Sequence, residues 1–243
     1  MPEGIFIQTN TGDIQIDGQS SHLYLGRKTT YTASKMDYTC LTPKSIIAIY
    51  LHDYANRRLR FDLQDNIPVG VNRVYSIEIL NNAHYKEEGT FTVYEFMNMR
   101  EAFVASSATN FGIEIYDESE RPIFNSNMPI FRPVSYLQAI RMNQNYNMPL
   151  TTPSATYIEP IAGGTVGKKI AIVITQLGYQ GKCFILRNSF GLNFCIPAFW
   201  IDEANGTFNL QYIWNKVAKD RGSSTAAVGN ATCIAMAIDV TNM

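Results

Sequence analysis

Apolar and polar residues alternate with a period of two in short stretches along most of this chain, and Gly, Asn, Asp or Pro separates one stretch from the next. Extended backbone sends successive side chains to opposite faces, so each stretch predicts a strand with one buried face. The expected strands are residues 4–8, 13–17, 45–51, 74–80, 90–96, 112–116, 122–125, 169–176, 183–188, 193–201, 207–214 and 232–240. Residues 46–51 and 170–174 are apolar almost without interruption and read as buried strands, well short of the ~18 residues a spanning helix needs. One helix is expected, over 134–142, where Leu137 and Ile140 follow Ser135 at helical spacing. The predicted fold is all-β, built of antiparallel β-sandwich domains with little helix.

The chain resembles itself at an offset of 108 residues: Gly4-Ile5-x-Ile7 lies over Gly112-Ile113-x-Ile115, and Ile16-Asp17 over Phe124-Asn125. Each copy reads as strand, polar turn, strand, with Thr9-Asn10-Thr11-Gly12 as one turn and Asp117-Glu118-Ser119-Glu120 as the other. Tandem duplication is the expectation that follows, with an N-terminal β domain over 1–105 and a C-terminal one over 106–243. The small, polar run Ala105-Ser106-Ser107-Ala108-Thr109-Asn110 holds the boundary. One large β domain is the alternative, since 243 residues with 46% hydrophobic content can bury a single core without staples.

Charge and cysteine usage narrow the function classes. Lys plus Arg number 20 against 21 for Asp plus Glu, so no overall field draws the chain to nucleic acid or to an anionic membrane. The best basic cluster, Arg57-Arg58-Leu59-Arg60, reads as a solvated strand end or an inter-subunit contact. No export signal is recognisable at the start of the sequence, which predicts synthesis in the cytoplasm. Cys40, Cys183, Cys195 and Cys233 lack paired spacing, and their apolar neighbours predict buried, free thiols.

Candidate chemistry is sparse. Ala162-Gly163-Gly164-Thr165-Val166-Gly167-Lys168-Lys169 has the glycines and lysine of a phosphate loop, but Lys169 stands at the magnesium position and a strand, not a helix, follows. It reads as a hairpin connection. His22, His52 and His84 are dispersed, and none has a second ligand at metal spacing. Glu87-Glu88 and Glu118/Glu120 fall in polar turns, where carboxylates keep ordinary acidity. The chain is therefore read as a non-enzyme with no cofactor and no metal. Asn205-Gly206-Thr207 is read as a hairpin turn. Tyr136, Tyr146 and Tyr157 surround an Asn-, Met- and Pro-rich span over 142–160. Rings supply contact area and amides supply adaptable hydrogen bonds, so Tyr146 and Tyr157, with Asn143, Asn145 and Asn147, form the candidate contact surface.

The segment Phe111-Gly112-Ile113-Glu114-Ile115-Tyr116-Asp117, continued by Ile123-Phe124-Asn125-Ser126 and by the apolar, Pro-containing run 128–134, resembles small minor tail or tail-tip proteins of tailed bacteriophages. In those proteins a Gly-apolar-x-apolar strand leads through a polar turn into a strand ending in an Asp/Asn-Ser-like corner. Residues 4–17 look similar, and together the two segments cover about a fifth of the chain. Glu120-Arg121 departs from the pattern, standing where a turn glycine is usual. The resemblance implies a virion structural role at the distal tail, partnership with other tail proteins and with copies of itself, and contact with a host glycan or protein. It carries over no catalytic residue. A stand-alone β-sandwich carbohydrate-binding module is the alternative.

Overall fold

The computed structural model describes residues 4–9, 12–17, 23–63, 70–105, 114–116, 119–120, 122–139, 156–176, 180–186, 189–220 and 233–243. In chain order the first elements are β1 (Gly4–Thr9), β2 (Gly12–Asp17), β3 (Leu23–Ala33), β4 (Lys35–Thr39), β5 (Ile46–Leu51), β6 (Arg57–Leu63), β7 (Val74–Asn81), β8 (Gly89–Asn98) and α1 (Met99–Ala105). There follow β9 (Glu114–Tyr116), β10 (Pro122–Asn125), β11 (Pro133–Ala139), β12 (Thr156–Pro160), β13 (Ile170–Gln176), β14 (Gln180–Leu186), β15 (Ser189–Asp202), β16 (Thr207–Asp220) and β17 (Cys233–Asp239). Among the described residues strands far outweigh the single short helix and every pairing is antiparallel, which gives the all-β fold that the alternation predicts.

Hairpins β1–β2 and β9–β10 form small sheets of their own. The first large sheet orders its strands β11-β17-β13-β5-β8-β3, and the second β12-β16-β15-β6-β7-β4, with β14 paired on β15 beside that path. The main core lies between them: Ile49, Val93 and Ile172 of the first sheet join Leu59, Ile77, Phe199 and Leu210 of the second in one apolar cluster. Each such side chain contributes about 1.5–3 kcal/mol by leaving water. The run Ile46–Leu51 explains itself in this setting. Ile47, Ile49 and Leu51 point into the main core, whereas Ala48 enters a second cluster with Tyr94, Phe96, Val173 and Ile238 on the reverse face. Leu23, Leu25, Phe131 and Met243 pack against that second cluster.

Ala105 ends α1, yet strands from both sides of it join within both sheets, three from each side meeting at the centre. β5 pairs with β13 at Ile49↔Ile172, and β6 with β15 at Leu59↔Phe199. Residues on both sides of the expected boundary between 105 and 106 contribute to the main core.

Of the helix expected over 134–142, residues 134–139 lie instead in strand β11, and 140–142 lie outside the described residues. Leu137 and Ala139, two apart, turn inward while β17 supplies a ladder from Cys233 to Ile238. Tertiary pairing therefore outweighs a short, weak helical pattern. The helix that does form, α1, carries its start signal in sequence: Asn98 Oδ1 accepts the Glu101 N–H at 3.0 Å, an N-cap with an acidic residue in the first turn. At the β9–β10 turn Glu120 takes φ 58°, the left-handed conformation for which glycine is usual.

Candidate contact surface

Asn143, Asn145, Tyr146 and Asn147 lie outside the described residues. Tyr157 is on β12, opposite Leu210 of β16. Strand alternation turns its half-buried ring inward, where it packs on the main core and meets Tyr212 edge to face, centroids 6.3 Å apart at 81°. Burial pushes its phenol above the ordinary value. The neighbours Thr156 and Ile158 are exposed, and Ile158 keeps 59% of its surface in solvent. Tyr157 thus anchors the edge of the core, and Ile158 is the apolar group that β12 exposes to solvent.

The basic cluster on β6 is engaged within the chain. Arg57 pairs with Asp53 at 2.7 Å and Glu87 at 3.1 Å. Arg58 lies 4.2 Å over the Trp200 ring and donates to the carbonyls of Tyr54 and Arg57. Arg60, Lys86 and Lys35 share Glu78 at 3.2, 2.8 and 3.7 Å. Burial alone would raise the Glu78 pKa, but the Lys86 hydrogen bond and the three cations outweigh it and lower it.

The glycine-rich segment closes on itself. Gly163, Gly164 and Gly167 take φ of 70°, 66° and 71°, and the Lys168 ammonium donates to the Gly163 carbonyl at 2.9 Å. Thr165 donates to the Glu203 carbonyl at 2.7 Å, and the Ile161 N–H donates to the Gly206 carbonyl at 2.9 Å. The segment is a crossing from β12 in the second sheet to β13 in the first, braced on the β15–β16 turn, rather than a hairpin connection. That brace is the Asn205-Gly206 turn, in which Asp202 accepts from the Asn205 backbone and side chain and Gly206 takes φ 65°.

His52 Nε2 shares a hydrogen bond with the Thr92 hydroxyl at 2.9 Å, and His84 sits at φ 67° between β7 and β8. His22 lies outside the described residues. Among the described residues no group of three or more His, Cys, Asp or Glu is placed to hold a metal ion, and no helix is long and apolar enough to cross a membrane. Cys40 and Cys233 are buried and in no disulfide; the side chains of Cys183 and Cys195 lie outside the description.

A charged centre that no sequence motif marks lies on β8, beside the edge strand β3 of the first sheet. Glu95 is fully buried, yet both of its oxygens are engaged. Arg27 binds Oε2 through Nε at 3.0 Å and Nη2 at 2.7 Å, the Tyr38 hydroxyl donates to Oε2 at 2.9 Å, and the Leu41 N–H donates to Oε1 at 2.5 Å. Burial, then the carboxylate, pushes the Tyr38 phenol up and raises the Cys40 thiol to about 12. These groups form a structural latch between β3, β4 and β8, with neither a free base nor an activated nucleophile. The signal was present in the strand pattern: Glu95 is in phase with the inward residues Phe91 and Val93. No protein-family model matches this chain, and no curated protein or solved structure matches it.

Proposed function

We propose that this chain is a non-enzymatic structural protein of a tailed-bacteriophage virion, a minor tail or tail-tip part that touches a neighbouring subunit or the host. The phage-like hairpins motivate the reading, and one contrast in the fold carries the contact role. Each half crosses once from the first sheet to the second near its start. β3 passes to β4 through the single residue Ser34, whereas residues 140–155 separate β11 from β12. The fold makes this crossing with one residue, so the extra Asn-, Met- and Tyr-containing length serves something other than the fold. Exposed Ile158 on the edge strand β12 and exposed Tyr136 on the edge strand β11 extend the same region with apolar surface.

A stand-alone carbohydrate-binding module is less well supported. Among the described residues the exposed tyrosines Tyr85, Tyr116 and Tyr136 sit on the β7–β8 connection, β9 and β11, three separate places in the fold.

Mass spectrometry of purified particles tests the proposal: the chain is expected at a fixed copy number per virion, and its absence from particles would refute the tail role. Tyr146→Ala is expected to weaken adsorption or assembly by about 2 kcal/mol, roughly thirtyfold, as truncation of an interface aromatic does. Tyr157→Ala is expected to lower stability as well, because its ring packs on the core.

A further inference from the structure

Leaving aside β14 and the two hairpins, each half contributes six strands, and the two sets visit the sheets in the same sequence: first, second, first, second, second, first. The sheet orders β11-β17-β13-β5-β8-β3 and β12-β16-β15-β6-β7-β4 then read alike from either edge, strand for strand, about their central pairs. Two copies related by a two-fold axis through the centres of both sheets produce this arrangement.

The pairing registers carry the match to single residues. Outward from Ile49↔Ile172, Val93 corresponds to Ala237, Thr29 to Ser135 and Ala33 to Ala139. Outward from Leu59↔Phe199, Ile79 corresponds to Leu210 and Ile77 to Phe208. Burial follows the correspondence on both faces of the first sheet. Ile47 and Ile170 lie in the main core; Ala48 with Ala171, Tyr94 with Ile238, and Phe96 with Val240 lie in the reverse-face cluster.

A third contact, remote in sequence from both central pairs, obeys the same rule. Tyr24 bridges Ile130, a pair separated by the same interval as Thr29 and Ser135. Its two hydrogen bonds, Leu25 N–H to the Pro129 carbonyl at 2.9 Å and Phe131 N–H to the Leu23 carbonyl at 2.8 Å, are images of one another under that correspondence.

We infer that residues 23–98 and 129–242 are two copies of one six-strand unit, and that the seam between them is a two-fold, self-complementary interface closed within a single chain. A lone unit would leave one strand edge open in each sheet and half of a core exposed; pairing with a like unit closes both. Each seam carries one register pair, so side chains do most of the joining. Tyr54 is one of them: its buried hydroxyl lies 3.2 Å from the Ile49 carbonyl of one half and 3.3 Å from the Ile170 carbonyl of the other.

Two forms of the full chain test this. In the first, a protease site placed among residues 106–113 is cut. The halves are expected to remain a 1:1 complex with unchanged circular dichroism, and to reassemble after unfolding in urea. In the second, a circular permutant starts at residue 106 and joins Met243 to Gly4 by a copy of residues 100–111, the stretch that fills the corresponding gap in the natural order. It is expected to be monomeric, with one cooperative transition near the natural midpoint. Dissociation or independent unfolding of the cut halves would overturn the inference. So would a permutant that does not fold while the cut chain does, because the cut is then harmless and the two copies are not interchangeable in order.

Discussion

Glu95 on β8 and Asp239 on β17 occupy matching places, opposite Ile47 and Ile170 in the central strands, yet they do different work. Glu95 is sealed from solvent and ties together β3, β4 and the Leu41 backbone. Asp239 is only half-buried and accepts from the Thr241 backbone at 3.0 Å and hydroxyl at 2.6 Å, a local turn. Other additions separate the halves further. β6 and β7 are 7 and 8 residues long, whereas β15 and β16 each run to 14 and β14 is added beside them. The shared strands are what the core requires; the first half adds a charged latch, and the second adds length.

The largest effects are expected at the seam. Phe199→Ala should cost about 3–5 kcal/mol and Leu59→Ala about 2–5 kcal/mol, because both are fully buried and face each other across the halves. Urea unfolding measures both, and a cost under about 1 kcal/mol at either position would break the shared-core account. The latch comes next. Glu95→Ala strands Arg27 and should cost about 3–5 kcal/mol, whereas Asp239→Ala should cost about 1 kcal/mol, the value of a local hydrogen bond. Equal losses at the two positions would contradict the contrast.

Acid sharpens the comparison more gently. Burial lowers the pKa of His52, helped by Lys169, and that of His84, helped by Arg58. Their stabilising contributions are therefore complete above the ordinary histidine value of 6.5 and are lost as pH falls through the lowered, folded-state values. Glu78, also lowered, adds a second loss below its ordinary 4.5. Stability should fall from pH 7 to pH 5, and His52→Asn with His84→Asn should flatten that slope; Asn tolerates the left-handed backbone at position 84. An unchanged slope in the double variant would remove the histidines from the account. The smallest change in stability is expected on deleting residues 140–156. The deletion joins Ala139 to Tyr157, as Ala33 joins Ser34, and should alter stability by no more than about 1 kcal/mol while abolishing the proposed contact.

Strand content was readable where buried and less buried positions alternate, as in β17, and where a short run is apolar on both faces, as in β5 and β13. Strands β3, β4, β6 and β12 were not. Their sequences are rich in Lys, Arg and Thr or very short, and three of them lie at sheet edges, where one neighbour rather than the side-chain pattern fixes the backbone. The offset of 108 catches the hairpins because they match without gaps. Beyond them the correspondence shifts from strand to strand at most connections, as from Thr29 and Ser135 to Val93 and Ala237, and the pairing registers reveal it. The Glu95 latch was hidden for another reason: its partners Arg27, Tyr38 and Leu41 lie 54 to 68 residues away.

Native-state hydrogen exchange across a urea series tests the shared core most directly, through the amides of β5 and β8 in one half and of β13 and β17 in the other. The account predicts that the slowest amides of both halves converge on a single global unfolding free energy. Protection of one half that persists after the other has opened would contradict it.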